Sequence, residues 1–344
     1  TDLGIADYPA FKGSATFRLL LTAPSNFLFN YADCAEDPEK YTDITLSWFA
    51  AKTGDKIFIN ETEFMRSPEE RGKISRLAGA GLVWTAQFEE QETSALPESW
   101  RGRGANPVVV FTGGKNNTNQ YYFGGKGGRG TVNHGNMDAG SFIFELNGVR
   151  WVIDPGNQGY GVLQRAGFNL FGKSQDSDRW KLITKNNFGH STISVNNQLH
   201  VVHGLVSITD FKEGAKPEAT FDMTPALNGL VKNASRRFVK DSPSSVLIED
   251  NIEISDKTEL ITWQLMTTAD IEITEDGAVL KQDGKQLKLE NQSHPEIDIS
   301  VISLYPAPLE LDKQIEGLKR LEIRIPAWTI EGTKTKIKVR LSGQ

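Results

Sequence analysis

The sequence predicts a mainly β chain, a large antiparallel β-sandwich preceded by a short helical region. Three observations carry that expectation. From about Asn106 onward, short alternating apolar runs are broken by Gly, Asn and Asp, the spacing of a multi-stranded antiparallel sandwich. Two of the breaks, Asn147-Gly148 and Asp283-Gly284, are two-residue turns that favour left-handed backbone and join neighbouring strands into hairpins. The strong helix signals all fall within the first hundred residues.

The elements follow in order. Phe17–Thr22 and Phe27–Tyr31, separated by Pro24-Ser25-Asn26, read as a strand pair. A helix is expected from about Thr42 to Lys52, with Ile44, Trp48 and Ala51 on one side and Gly54 as its stop. Ser67-Pro68-Glu69-Glu70 combines an N-cap serine, a proline at the first helical position and a glutamate that can reach back to the serine N–H, a capping box. Behind it, Ile74, Leu77, Ala78 and Leu82 recur at helical spacing as one buried face. Strands are then expected over Val108–Phe111, Phe142–Leu146, Val149–Ile153, Ser191–Val195, Leu247–Ile254, Leu260–Met266, Ile297–Ser303, Leu321–Ile325 and Lys336–Leu341. The pattern divides the chain into residues 1–104 and 105–344, and no repeat of fixed period runs through it.

Composition narrows the function. The 44 acidic and 38 basic side chains leave a net charge of −6, the opposite of a nucleic-acid footprint, although a few basic residues in one cleft can still hold an anionic sugar. No apolar run approaches the length of a membrane span. Cys34 is the single cysteine, so no intrachain disulfide framework exists. The chain starts at Thr1 without a signal-peptide pattern, and a processed or truncated product is expected.

The densest cluster of chemistry-bearing residues runs from Gly124 to Asp138. A phosphate loop does not fit, because Lys126 is followed by Gly-Gly-Arg and no helix comes after it. If Asn147-Gly148 closes a plain hairpin, Ser141 pairs with Asp154, and Asp154-Pro155-Gly156 leaves a carboxylate at an accessible sheet edge. If Asn196-Asn197 is also a turn, His203 lies opposite His190. Imidazole, carboxylate and a third polar ligand suit Zn²⁺, and an oxygen-rich set suits Ca²⁺. Plainer readings stand beside these. Asp154 can be a turn former, the glycine-rich loop a mobile connection, His200, His203 and His294 structural residues, and Trp48, Trp84, Trp151 and Trp180 core.

The run Asn133-His134-Gly135-Asn136-Met137-Asp138-Ala139-Gly140-Ser141-Phe142, followed by Asn147 to Gly156 and Tyr160, resembles the heparinase II/III signature. Asp178-Arg179-Trp180 and Gly189-His190-Ser191-Thr192 resemble its next blocks in order. The resemblance implies the terminal helices of an α/α toroid followed by the sandwich, with the rest of the toroid missing upstream. It implies a polysaccharide lyase that cleaves uronic-acid-containing glycans, heparan sulfate-like or related, by β-elimination, in a bacterial periplasmic or secreted setting. By that pattern His134 faces substrate, and Asn136, Asp154 and His190 hold a structural divalent ion, Zn²⁺ or Ca²⁺. The resemblance places the family's principal tyrosine in toroid helices upstream of Thr1. Within this chain Tyr160 and Tyr31 are the candidate contributors, Tyr160 the better placed, and Asn133, Tyr31 and Arg179 are candidate substrate contacts. The alternative is a non-enzymatic module that binds anionic glycans. A metal-dependent hydrolase is weaker, since no ligand set with an obvious nucleophilic water and base stands out.

Overall fold

The computed structural model describes residues 4–37, 44–59, 67, 69–70, 73, 76–114, 119–227 and 229–343. The polypeptide groups into two compact units, Thr1–Leu28 with Glu36–Pro97, and Phe29–Ala35 with Glu98–Gln344. The break thus follows Pro97, where the sequence pattern changes after residue 104, and the β-rich unit takes in the segment Phe29–Ala35 as well.

The first unit is helical. Helix α1 (Pro9–Leu20) starts on a proline whose fixed φ suits the first turn. It absorbs Phe17–Leu20, which the sequence suggested as a strand, and one isolated bridge, Thr22 to Leu28, is what forms of the expected pair. The apolar spacing explains the outcome: Ala15 and Leu19, four apart, pack on one core with Leu46, Phe49, Ala50 and Phe58. Helix α2 (Ile44–Thr53) ends at Gly54, whose φ of 71° lets its N–H reach the Ala50 carbonyl at 2.8 Å. The buried positions are Ile44, Leu46, Ser47, Phe49 and Ala50, so the core-facing side is rotated from the one expected around Trp48 and Ala51. Thr42, Pro68 and Ile74 lie outside the described residues.

The capping box forms: the Ser67 N–H donates to Glu70 Oε2 at 2.7 Å, and the Glu70 N–H donates to Ser67 Oγ at 3.2 Å. In α3 (Ala78–Ala86) the buried residues are the small ones, Ala78 and Gly81, whereas Leu77 and Leu82 are exposed. A methyl group on Gly81 would come within 2.9 Å of Ile44, so α3 meets α2 through small residues rather than through its leucines.

The second unit is built of antiparallel sheets. Strands β1 (Ser99–Gly102), β2 (Val108–Gly113), β3 (Tyr121–Lys126), β4 (Phe142–Leu146) and β5 (Val149–Val152) form the first in sequence order. The second sheet has the order β12 (Asp270–Thr274), β13 (Gly277–Gln282), β14 (Lys285–Asn291), β17 (Lys334–Gly343), β10 (Ser245–Ile254), β9 (Val231–Ser242), β8 (Glu218–Asp222) and β7 (Ser207–Lys212). The third is β15 (Ile299–Ser303), β16 (Lys319–Pro326), β11 (Leu260–Thr267) and β6 (Ile193–Val195). Aromatic rings join them: Phe238 of β9 lies 4.9 Å from Phe123, 5.6 Å from Phe142 and 5.6 Å from Phe221, and Phe142 reaches Trp263 of β11 at 6.5 Å. Each buried ring adds on the order of 1.5–3 kcal/mol.

Both two-residue turns form with positive φ at each position, pairing Leu146 with Val149 and Gln282 with Lys285. The glycine-rich stretch is packed. Gly124 and Gly125 lie inside β3, and a Cβ on Gly124 would come within 2.6 Å of the Phe29 ring.

Candidate active site

Two loops carry the motif residues, and one buried arginine joins them. Arg236 of β9 makes a bidentate pair with Asp250 at 2.7 and 2.8 Å. Its Nη1 donates to the carbonyls of Gly140 at 2.8 Å and Ser191 at 3.3 Å. Thr192 Oγ1 adds a bond to the Ala139 carbonyl at 2.7 Å. The Asn133–Ser141 loop and the His190–Thr192 segment are thereby fixed to the same sheets.

Within the first loop, His134 has φ 59°, a left-handed conformation rare for a residue with a side chain. The turn is closed by the Gly135 N–H on the Val132 carbonyl at 2.9 Å and by Arg179 Nη2 on the Gly135 carbonyl at 2.7 Å. The imidazole is thrust outward, with its side chain 67% exposed. Its Nδ1 lies 3.1 Å from Tyr160 Oη and 3.2 Å from Asp33 Oδ2, and the rings of His134 and Tyr160 are nearly parallel at 6.4 Å. Tyr160 opens helix α4 (Tyr160–Arg165), and its hydroxyl donates to Asp33 Oδ2. Lys185 Nζ donates to the other oxygen, Asp33 Oδ1.

The electrostatics follow. Burial would raise the Asp33 carboxyl, but the Lys185 charge and hydrogen bonds from Lys185, Tyr160 and His134 outweigh it and hold it below the usual carboxylate range. Burial draws Lys185 down, opposed by Asp33. Burial, reinforced by the hydrogen bond to Asp33 and its charge, pushes the Tyr160 phenol well above its ordinary value, so the hydroxyl stays protonated at neutral pH.

These groups open on a cleft of about 230 Å³ lined by Asp33, Asn133, His134, Tyr160, Phe171, Lys173 and Arg179, among others. Arg179 is 6% exposed and stacks on Trp180 at 4.5 Å, and among the described residues its Nε–H has no hydrogen-bond partner. Among the described residues it has no carboxylate at ion-pair distance. Asn133 accepts from Lys173 Nζ at 3.2 Å. Tyr31 is placed apart from the cleft lining: its ring lies 5.1 Å from Phe29 and 5.9 Å from the Lys126 ammonium. Burial, with Cys34 and Asp138 nearby, pushes its hydroxyl up to about 12.

Asp154 and His190 do come together, with Nδ1 2.9 Å from Asp154 Oδ2, but not as the hairpin arithmetic suggested. A bulge shifts the β4–β5 register so that Phe144 opposes Val152. The ladder therefore never pairs Ser141 with Asp154. Ile153 instead donates to Met266 of β11 at 3.0 Å, and Asp154 is buried rather than offered at an edge. Its Oδ1 accepts from the Gly156 N–H at 2.8 Å. His203 is exposed and not opposite His190, because β6 pairs with β11 and no strand returns after Asn196-Asn197. His200 is buried, with Nε2 2.8 Å from the Ile193 carbonyl. Asn136 is fully buried, and among the described residues neither its side-chain oxygen nor its nitrogen has a hydrogen-bond partner, nor has His190 Nε2. Among the described residues, no group of three or more His, Cys, Asp or Glu side chains is gathered around a common point.

Sequence reasoning missed Asp33 and Lys185. Nothing local distinguishes either, since their partners lie 101 to 152 residues away in the chain.

Comparison with known proteins gives a family and a fold. The family model described as heparinase II/III-like, C-terminal, matches residues 108–314. Curated protein sequences give no match. Among solved structures, a mutant of the heparan sulfate lyase HepC from Pedobacter heparinus superposes with a TM-score of 0.65 at 12% identity, over 97% of this chain and 46% of that one. A structure of heparinase III gives 0.62 at 12% identity, over 98% and 49%. The heparinase III product of BT4657 gives 0.58 at 12%, over 97% and 46%. The chain thus spans about half the length of the solved structures it matches. Because the family model covers well over half of its residues, including the loops that carry His134, Tyr160, Asp154 and His190, the chain belongs to the heparinase II/III-like family.

Proposed function

We propose that this chain supplies one wall of the active site of a lyase that cleaves uronic-acid-containing polysaccharide by β-elimination. The observation that carries the reading is the meeting of His134, Tyr160 and Asp33 within hydrogen-bond distance at a cleft that the Arg179 guanidinium also lines. Arg179 would bind the uronate carboxylate, whose charge must be stabilised before the C5 proton becomes acidic. His134 Nε2 would take that proton as the C5–H bond breaks, the C4=C5 double bond forms and the C4–O bond to the leaving sugar breaks. Tyr160, held protonated beside Asp33, would return a proton to the leaving oxygen. Asn133 and Lys173 line the same cleft and would meet neighbouring hydroxyl or anionic substituents.

A structural divalent ion belongs to the same proposal. The donor types fit: an imidazole, a carboxylate and an amide oxygen, with His190 Nε2 and the Asn136 side chain buried and unsatisfied. Asp154, His190 and Asn136 would hold it, and its contribution would be to stiffen the loop that carries His134.

Half the length of the matched structures leaves room for a second wall, so the chain expressed alone is expected to be a weak lyase. A version extended by an N-terminal helical domain should be strongly active. The test is ultraviolet absorbance of the unsaturated uronate during incubation with a panel of uronate polymers. Equal activity of the short chain would place the whole catalytic set within these residues. Binding without any change in polymer length, for both forms, would leave a glycan-binding module instead.

A further inference from the structure

We propose that Asp33 is a positioning residue that commits the His134 imidazole to the tautomer carrying its proton on Nδ1, leaving Nε2 as the proton-accepting atom. The inference rests on the reading of His134 as a proton-transfer group and adds which nitrogen does the work and what selects it.

Two oxygens lie within reach of Nδ1, Asp33 Oδ2 at 3.2 Å and Tyr160 Oη at 3.1 Å. A carboxylate can only accept. Tyr160 has one proton and gives it to Asp33, so toward His134 its oxygen offers lone pairs. A lone pair on Nδ1 would therefore face acceptors on both sides, whereas an N–H there satisfies them. The reverse chain, with Tyr160 donating to Nδ1, would need Asp33 to find another donor for Oδ2 or to be protonated. Lys185 opposes protonation: its side chain is fully buried, and its ammonium sits on Oδ1. The carboxylate is also fixed in place from behind. Ala32 has φ 56°, and its N–H donates to Asp138 Oδ2 at 3.2 Å, which anchors the turn that presents Asp33. The ring nitrogen that makes a hydrogen bond to a carboxylate sets the role of the other.

The chain has five histidines, so ¹⁵N-histidine NMR at a pH where imidazoles are neutral can separate them, with His134→Gln assigning the resonance. The expected result is a protonated Nδ1 and a bare Nε2 at His134, retained in Tyr160→Phe because Asp33 remains. Asp33→Asn combined with Lys185→Met removes both charges of the buried pair and keeps its volume; there the Nε2–H form should become the major one. A parent His134 already carrying its proton on Nε2 would overturn the proposal. So would a double variant that keeps the parent tautomer, or a Tyr160→Phe variant that loses it. The measurement needs no substrate, so it succeeds or fails independently of whether the protein cleaves a glycan.

Discussion

Replacing Lys126 by methionine removes one half of a fully buried ion pair. Lys126 Nζ lies 2.5 Å from Asp138 Oδ1, and both side chains are inaccessible to solvent. The variant leaves Asp138 with the Ala32 N–H at 3.2 Å as its remaining described hydrogen-bond donor. Deleting one partner of a buried pair typically costs about 3–5 kcal/mol, because the other charge stays desolvated and uncompensated. Against a net stability of about 5–15 kcal/mol that is a large fraction. With a urea m-value of about 3 kcal/mol/M, the midpoint should fall by roughly 1–1.7 M. Adding Asp138→Asn removes the stranded charge and should recover most of the loss, since the pair as a whole contributes little beyond its own desolvation cost. The assay is urea unfolding followed by tryptophan fluorescence on parent, single and double variants. A single variant that loses less than about 1 kcal/mol, or a double variant as unstable as the single, would refute the reasoning. Because Asp138 also holds Ala32, the single variant should loosen the turn that presents Asp33.

Other expectations are independent of that pair. Burial pulls the His200 imidazole down to about 4, so its folded-state value lies below the unfolded one. The unfolded chain takes up the proton first, and the stability from His200 is present above about 6.5 and lost as pH falls toward 4, on the order of 3 kcal/mol. His190 is shifted upward, with burial opposed and outweighed by Asp154, and acts in the opposite sense. Urea titrations of parent and His200→Gln across that window isolate the difference, and identical slopes would contradict it. Gly124→Ala should cost about 1–3 kcal/mol because the added methyl would meet Phe29 at 2.6 Å; thermal melts check it. Parent chain prepared with excess Zn²⁺ or Ca²⁺ should retain one equivalent by elemental analysis, with Asp154→Ala losing both metal and stability; a metal-free parent would dismiss the ion.

What the sequence made legible was local. Asn147-Gly148 and Asp283-Gly284 announced their hairpins because positive φ at both turn positions is a property of those residues themselves. The Ser67–Glu70 capping box was legible because its two reciprocal hydrogen bonds join residues three apart. What depended on tertiary context was read less well. Phe17–Leu20 has the β-prone look of a strand, yet Ala15 and Leu19 bury one face of a helix. The bulge at Trp151 cannot be inferred from the alternation around it, and it undid the Ser141–Asp154 pairing. At the site, the motif supplied His134 and Tyr160, while Asp33 and Lys185 emerged from contacts across more than a hundred residues.

In the proposed elimination, His134 and Tyr160 transfer the protons. The most direct measurement is the rate of ultraviolet-absorbing product from a uronate polymer, using the N-terminally extended protein with and without His134→Ala and Tyr160→Phe. Each substitution should lower kcat by about a hundredfold to ten-thousandfold, with binding of the polymer retained. Undiminished formation of the unsaturated product by both variants, or cleavage of the polymer without that product, would contradict the claim.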